Sequence, residues 1–279
     1  MRQPLSIARS MKHRLMVDAP AAVDRSLDPL RHGDRSVLMT PAQGMRLGNF
    51  MYLWMRAHGE TTAQASVRVL EASAMEPWLR EFPALRELTL PRPALRFGDR
   101  RDREHPFLYQ RFGIDFSRDL LHDFIGTRIR PHVRPDRSAD LVLNVRRGDY
   151  YSEDSFRGKF GFDQLGYIAA ALERAGSAPH VVVVSDDPAW CRTMVGPLLQ
   201  DRGSSADYAP TDPVANFMAV AGASRLIGTN STFSYWGGYV AGMVHEAAQI
   251  IMPRFHARMP GGTDAYQLDP RWIAIGGFH

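Results

Sequence analysis

Cysteine is almost missing from this chain. Cys191 is the only one among 279 residues, so no disulfide forms within the chain and no multi-cysteine metal site is built. A protein without disulfides suits a reducing compartment, and we therefore expect a cytoplasmic location. The sequence also has no apolar run approaching the roughly 18 residues that a membrane-spanning helix needs. We therefore expect no transmembrane segment.

Several well-defined catalytic motifs are missing as well. The chain has no GxxxxGK[ST] or GxGxxG phosphate loop and no GxSxG nucleophile elbow. Its histidines show no spacing typical of metal ligands. These absences argue against P-loop enzymes, α/β-hydrolases and histidine-based metalloenzymes.

The charge pattern does not favour a nucleic-acid-binding protein. The net charge is +4 and the pI is about 9.4, but 30 acidic residues are interspersed among 34 basic ones. A nucleic-acid module usually gathers its positive charge on one face, so we expect no nucleic-acid partner. Lys12 and Lys159 are the only lysines. A GC-rich genome explains the many arginines, although arginine also suits bidentate binding of phosphates.

The first 35 residues have no signal-peptide core. We expect residues 1–35 to form a tail without fixed structure, with a helix lying on a membrane surface as the alternative. The sequence as a whole, with 44% apolar residues, is typical of a globular protein. The proline-containing stretch 128–140 predicts a boundary between an N-terminal lobe, residues 36–135, and a C-terminal lobe, residues 136–279.

Strands and helices alternate along the second lobe. Buried strands are predicted at 141–145, 180–184, 225–228 and 249–252, with helices between them. The first lobe shows a weaker pattern, with strands at 36–39 and 66–70 around an amphipathic helix at 46–58. Such alternation predicts α/β lobes with parallel sheets. Ligands bind at the carboxyl ends of these strands, so the RRGDY, SDDP and TNSTFS segments should meet in one crevice.

Two neighbouring arginines follow the strand predicted at 141–145. Arg146 and Arg147 offer guanidinium donors for a diphosphate leaving group. Because adjacent strand residues point to opposite faces, we expect one of them to reach a ligand and the other to pack beneath it. Gly148 would let the backbone approach the ligand, and Asp149 would orient an arginine or bind a hydroxyl. The alternative is a surface salt-bridge cluster.

Three further segments offer polar groups at predicted strand or helix ends. Ser231 and Thr232 open a helix whose backbone N–H groups form an anion site, unless they are ordinary caps. Asp186 and Asp187 contact a ribose or base, hold a divalent ion, or cap a helix. The segment 44–49, GMRLGN, is either a phosphate loop or a cap and turn.

Together these segments resemble the α-1,2-fucosyltransferase family. A GRLGNQ-like motif is matched by MRLGNF at 45–50, and a HxRRGDY-like motif by NVRRGDY at 144–150. An SDDxxWC-like motif is matched at 185–191, and an NSTFSWWGxY-like motif by NSTFSYWGGY at 230–239. Four motifs in the expected order cover most of the chain from Gly44 to Tyr239.

The resemblance implies an α/β fold of the GT-B type, with two Rossmann-like lobes facing a central cleft. It implies a metal-independent, inverting transfer of fucose from GDP-fucose to a galactose-type hydroxyl of a glycan, with no cofactor besides the donor. Arg146 would assist departure of the diphosphate, and Asp149 is a candidate base. The remaining donor-binding residues that it implies are Arg46, Gly48, Asn49, Asn144, Arg147, Asp186, Asn230, Ser231, Thr232 and Phe233.

Three positions depart from the family pattern. Asn144 stands where the family usually has histidine, Phe50 where it has glutamine, and Asn216 where an aspartate is often found. Asparagine cannot take a proton at physiological pH, so an acid–base role at position 144 is lost. Two alternatives are therefore open. The protein transfers a sugar from another GDP-sugar, or it is a catalytically inactive relative that binds a nucleotide sugar or glycan.

Overall fold

The structure is a computed structural model that describes residues 24–40, 45–103, 109–136, 138–259, 262 and 265–278. Within these residues the chain forms two fully parallel β-sheets flanked by helices. This α/β architecture with two parallel sheets is the one that the sequence predicts.

The first sheet belongs to the N-terminal part of the chain. Its strands are β1 (Arg35–Leu38), β2 (Ser66–Leu70), β3 (Thr89–Leu90) and β4 (Arg100–Asp102), in the order β3-β2-β1-β4. Helix α1 (Leu47–Glu60) connects β1 to β2, and α2 (Glu76–Glu81) and α3 (Arg118–Arg128) follow. Short 3-10 turns lie at Asp28–Leu30, Ser73–Met75, Pro83–Leu88, Arg92–Ala94 and Arg130–His132.

The second sheet has six strands in the order β10-β9-β8-β5-β6-β7. They are β5 (Leu141–Val145), β6 (His180–Ser185), β7 (Ser205–Tyr208), β8 (Arg225–Gly228), β9 (Gln249–Pro253) and β10 (Ile273–Ile275). Every residue of β5 is buried, as expected for the central strand of a parallel sheet covered on both faces.

Six helical segments accompany the second sheet. They are α4 (Gly148–Ser152), α5 (Asp154–Phe160), α6 (Gln164–Ala175), α7, α8 (Pro213–Gly222) and α9 (Thr232–Val244). Helix α7 is a composite of Pro188–Trp190, a π-helical stretch Cys191–Val195, and Gly196–Gln200. No helix in the described part of the chain is long and apolar enough to cross a membrane.

Four short strands were not predicted from the sequence. They are β3, β4, β7 and β10, the strands at the edges of the two sheets. The residues of β4, β7 and β10 are half-buried or exposed, so these strands lack the apolar runs that mark the central strands. Strand β3 is buried but has only two residues.

Residues 24–35 correct part of the predicted tail. Arg31 is 3% exposed and forms ion pairs with Asp24 and Asp28. Arg101, within β4, pairs with Asp24, and Arg103, just after β4, pairs with both aspartates. This segment is therefore packed against the first sheet. The rest of the predicted tail, residues 1–23, lies outside the described residues.

One hydrophobic core joins the two sheets. Helix α1 packs against α9, and the buried rings of Tyr52 and Trp236 meet edge to face with centroids 5.1 Å apart. The same core includes Leu38 from β1 and Val142 from β5. Because close-packed interiors deform little, α1 and α9 hold the carboxyl ends of the two sheets in a fixed relation.

Candidate active site

A cleft of about 1690 Å³ lies at the carboxyl ends of the two sheets. This exceeds the roughly 300–1,000 Å³ of a typical small-molecule pocket, so it has room for two ligands side by side. The predicted site residues that line it are Arg46, Gly48, Asn49, Asn144, Arg146, Asp149, Asp186, Ser231, Thr232 and Phe233.

Two helix N-termini meet at this cleft. Gly48, in the first turn of α1, lies directly against Thr232, the first residue of α9. A Cβ at position 48 would lie 2.5 Å from the Cβ of Thr232, closer than real atoms approach. Glycine at position 48 therefore permits a close approach that any larger residue would prevent.

The N-terminus of α1 is not capped by a side chain. Its N-cap residue is Arg46, whose side chain has no oxygen to accept a hydrogen bond. The guanidinium is exposed and has no partner in the described part of the chain. A cation at a helix N-terminus opposes the helix dipole. An anion bound there would interact favourably both with the positive end of the helix dipole and with the Arg46 guanidinium.

The N-terminus of α9 is capped from within. Ser231 Oγ accepts from the N–H of Ser234 at 3.1 Å, which leaves the first N–H groups of the helix, at Thr232 and Phe233, available to a ligand. Side by side, the two helix starts form a concave array of N–H donors suited to phosphate or carboxylate.

Arg146 stands beside these helix starts and is held by two carboxylates. Its Nη1 lies 2.6 Å from Asp186 Oδ2, and its Nη2 binds Asp149 Oδ1. The guanidinium also lies over the ring of Tyr150, 5.4 Å from the centroid. Arginine has five N–H donors, so the guanidinium is fixed in place while retaining donors for a ligand.

Gly148 makes the arrangement around Arg146 sterically feasible. Its φ is +28°, and a Cβ there would lie 2.5 Å from Asp186 Oδ2. The positive φ and the close approach both disfavour a side chain. The sequence predicts that the backbone at Gly148 approaches the ligand. In the structure it lies close to the carboxylate of Asp186, which holds Arg146.

Arg147 points away from the cleft, as alternation along a strand predicts for one of the two arginines. Its guanidinium is sandwiched between the rings of Tyr151 and Trp190, 3.9 and 4.0 Å from their centroids. Asp187 Oδ2 lies 3.7 Å from Arg147 Nε, and Asp187 Oδ1 caps Trp190. Arg147 and Asp187 therefore brace the loops below the cleft, and Arg147 is absent from the cleft lining.

Asn144 ties the start of α9 to the second sheet. Its Oδ1 accepts from Ser234 Oγ at 2.6 Å, and its Nδ2 donates to the carbonyl of Val184 at 3.2 Å. Ser231 Oγ lies 2.8 Å from Ser234 Oγ and extends the network. The carboxamide is thus engaged at both ends, and it orients the helix start that faces the cleft.

Asn230 also has a structural role, because its side chain joins neighbouring segments of the second lobe. It is fully buried, and its Nδ2 donates to the carbonyls of Phe160 and His256 at 2.8 and 2.9 Å. The side chain is not part of the cleft lining. It holds the end of α5 and the segment after β9 against the strand that leads to α9.

Lys159 and His256 are ionisable cleft residues outside the predicted set. Lys159, one of the two lysines, is exposed on the rim. His256 contacts Tyr235 Oη through Nδ1 at 3.3 Å, and desolvation, with a smaller contribution from Lys159, lowers its pKa to about 4. Its imidazole is therefore neutral at physiological pH. Burial raises the pKa of the Tyr150 phenol to about 12.

The start of α8 contributes two more residues. Asp212 caps the helix by accepting from the N–H of Ala215 at 2.7 Å. Asn216 lines the cleft, and its Oδ1 is buried without a partner in the described chain.

The ionic groups of this cleft suit an anionic ligand. Arg46 and Lys159 have no ion-pair partner among the described residues, Arg146 lines the same cleft, and two helix starts add N–H donors. Asp186 and Asp187 are occupied by arginines and backbone N–H groups. Among the described residues no group of three or more His, Cys, Asp or Glu has metal-site geometry.

Two parallel α/β lobes with a cleft between them are the architecture of a GT-B glycosyltransferase. The chain belongs to glycosyl transferase family 11, whose family model matches residues 108–275.

The chain is also similar to several curated proteins. It is 30% identical over 142 residues to galactoside 2-alpha-L-fucosyltransferase SEC1 of Bos taurus, covering 50% of this chain and 38% of that protein. It is 30% identical over 131 residues to galactoside alpha-(1,2)-fucosyltransferase 2 of Mus musculus, covering 44% of this chain and 38% of the relative. The matches thus span well under half the length of these relatives.

The solved structures with a similar shape include complexes of POFUT1. One, with GDP, is 17% identical and covers 78% of this chain and 72% of that chain, with a TM-score of 0.31. Another, with GDP-fucose, is 13% identical and covers 90% and 82%, with a TM-score of 0.35. Both TM-scores are below 0.5, so the similarity is a loose one.

Proposed function

We propose that this protein transfers fucose from GDP-fucose to a galactose-type hydroxyl of a glycan, forming an α-1,2 linkage with inversion and without a metal ion or other cofactor. Its family and the names of its curated relatives support fucose transfer. The observation that carries the proposal is the convergence of two helix N-termini beside Arg146 in one cleft.

The diphosphate of the donor would lie at the two helix starts. The N–H groups of Gly48, Thr232 and Phe233 would bind its oxygens, and Arg46 would approach from the first lobe. Each charge-assisted hydrogen bond contributes about 1.5–3 kcal/mol. The second lobe would thereby hold most of the donor, with Asp186 beside it, and the first lobe would face the acceptor.

The reaction would be a direct displacement at the anomeric carbon. The acceptor oxygen forms a bond to this carbon as the bond to the phosphate oxygen breaks, and the electron pair leaves with GDP. Arg146 stabilises the charge that develops on the leaving phosphate. Asp149 holds Arg146 through Oδ1, and its Oδ2 accepts the proton of the acceptor hydroxyl.

The cellular setting forms part of the proposal. A single cysteine supports a reducing, cytoplasmic compartment. Donor and glycan acceptor would be the partners, with no role for nucleic acid.

The direct test is a transfer assay with purified protein, GDP-fucose and lactose, in the presence of EDTA. We expect a fucosylated product whose NMR spectrum shows an α-1,2 linkage to galactose, at a rate that added Mg²⁺ does not raise. A β-linked product would refute inversion, and a rate abolished by EDTA would refute metal independence. Transfer of mannose from GDP-mannose, with none from GDP-fucose, would assign a different donor.

A further inference from the structure

Three carboxamide side chains form a continuous ladder in the wall of the cleft. Gln267 Nε2 donates to Gln110 Oε1 at 3.1 Å, and Gln110 Nε2 donates to Asn49 Oδ1 at 3.2 Å. Asn49 belongs to the first turn of α1, while the two glutamines come from segments far apart in sequence. All three line the cleft, so the ladder runs from the N-terminus of α1 along the cleft wall.

Both ends of this amide ladder keep unused hydrogen-bonding capacity. Asn49 Nδ2 has no partner among the described residues, and its orientation is fixed because Oδ1 accepts from Gln110. At the other end Gln267, which is 3% exposed, has a buried Oε1 without a partner in the same part of the chain. Such an orphaned acceptor is costly, and a ligand hydroxyl that donates to it would remove the cost.

A tyrosine precedes each of the two glutamines. Tyr109 and Tyr266 both line the cleft, and Tyr266 is 44% exposed. The two segments are joined by a hydrogen bond from the N–H of Phe112 to the carbonyl of Tyr266 at 2.9 Å. Each segment thus presents an aromatic ring beside an amide. Rings offer apolar area with a polar tip, and amides both donate and accept.

The charged groups next to the ladder are neutralised within the protein. Arg111 forms an ion pair with Asp115 at 2.6 Å, and Arg56 pairs with Glu60 and Asp102, each at 2.7 Å. This end of the cleft therefore contrasts with the start of α1, where Arg46 has no ion-pair partner among the described residues. An uncharged ligand fits it better than an anion.

We propose that the amide ladder and its two tyrosines form the subsite for the acceptor, an uncharged pyranose whose hydroxyls bind the amides and whose C–H face packs on Tyr266. This inference rests on the proposed function, because it assigns the second ligand of the same reaction. Asn49 stands where the two subsites meet, which brings an acceptor hydroxyl to the donor's reacting carbon.

The test compares acceptor and donor parameters in two variants. Gln110→Glu removes the donor to Asn49 at nearly constant volume, and Tyr266→Ala removes the exposed ring. We expect each to raise the KM for lactose about tenfold while the Kd for GDP-fucose, measured by calorimetry without lactose, stays within about twofold of the parent value. Gln200→Glu and Phe97→Ala change exposed residues outside the cleft and serve as matched controls.

The outcomes separate this inference from the proposed function. An unchanged KM for lactose in Tyr266→Ala would overturn the acceptor subsite, even if Gln110→Glu failed to fold. Equal loss of lactose and GDP-fucose affinity in Gln110→Glu would also overturn it, because the ladder would then serve the donor or the fold. A parent protein that binds no GDP-fucose but still binds lactose, with the binding weakened in Tyr266→Ala, would sink the proposed function alone.

Discussion

Gly48 of α1 lies in direct contact with Thr232 of α9, so that two helix N-termini converge on one point of the cleft. A Cβ on Gly48 would meet the side chain and the backbone of Thr232. This contact joins the first lobe to the second at the point where we place the diphosphate. It explains why the GMRLGN and NSTFS segments belong to one site although Gly48 and Asn230 are 182 positions apart in the sequence.

We expect Gly48→Ala to weaken donor binding and stability together. The added methyl group must push α1 away from α9, and overpacking of this kind costs about 1–3 kcal/mol. Urea unfolding and calorimetry with GDP-fucose measure the two effects. Gly126→Ala is the matched control, because its new Cβ would find its nearest atom 3.8 Å away within helix α3. Equal behaviour of the two variants would show that the helix contact is unimportant.

We expect Arg146→Ala to lower kcat by about 10²–10³-fold, the range found for a lost electrostatic donor at a reacting oxygen. The loss should exceed any change in the KM for GDP-fucose, because Arg146 acts most strongly on the charge that develops as GDP departs. Steady-state transfer assays separate the two parameters. Arg86→Ala, an exposed arginine of the first lobe, should leave both unchanged. Near-normal turnover in Arg146→Ala would refute the mechanism.

We expect Gly148→Ala to impair turnover through Arg146. The new Cβ would displace Asp186 Oδ2, so the carboxylate could no longer hold the guanidinium. The alanine would also have to adopt the φ of +28° that glycine has at this position. A fall in kcat of about tenfold, equivalent to 1.4 kcal/mol, is the expected size. Gly158→Ala, whose Cβ meets no atom within 4 Å, is the control. If Gly148→Ala were as active as this control, Asp186 would have no part in positioning Arg146.

His256 should make stability depend on pH. Desolvation lowers its pKa from the ordinary 6.5 to about 4, so the folded chain stays unprotonated where the unfolded chain takes up a proton. The stabilisation is complete above pH 6.5 and is lost as the pH falls toward 4, at up to about 1.4 kcal/mol per pH unit. Urea unfolding at several pH values should show a shallower decline in His256→Gln.

The control for this pH dependence is His32→Gln, which replaces an exposed histidine. It should follow the parent protein at every pH. If His256→Gln also followed the parent protein, protonation of His256 would not limit stability in acid.

Much of the second lobe could be predicted from its sequence, because its central strands are continuous apolar runs. The alternation along β5 also predicted that Arg146 and Arg147 would point to opposite faces. The edge strands were not predicted, because the residues of β4, β7 and β10 are half-buried or exposed and β3 has only two residues.

Parts of the site could not be predicted because they depend on tertiary contacts. Nothing in the sequence shows that Gln110 and Gln267 form one ladder with Asn49, since neither glutamine belongs to a recognisable motif. The amide of Asn144 was expected near the nucleotide, but its engagement with Ser234 and Val184 follows from the packing of α9 on the sheet.

The most direct test of the central claim is calorimetric titration of the unmodified protein with GDP-fucose, GDP, GDP-mannose and UDP-galactose, without added metal. We predict saturable binding of GDP-fucose and GDP at one site per chain, with Arg46→Ala weakening both, and much weaker binding of UDP-galactose. Failure of GDP-fucose and GDP to bind, or binding of UDP-galactose with equal affinity, would contradict the assignment of this cleft to GDP-fucose.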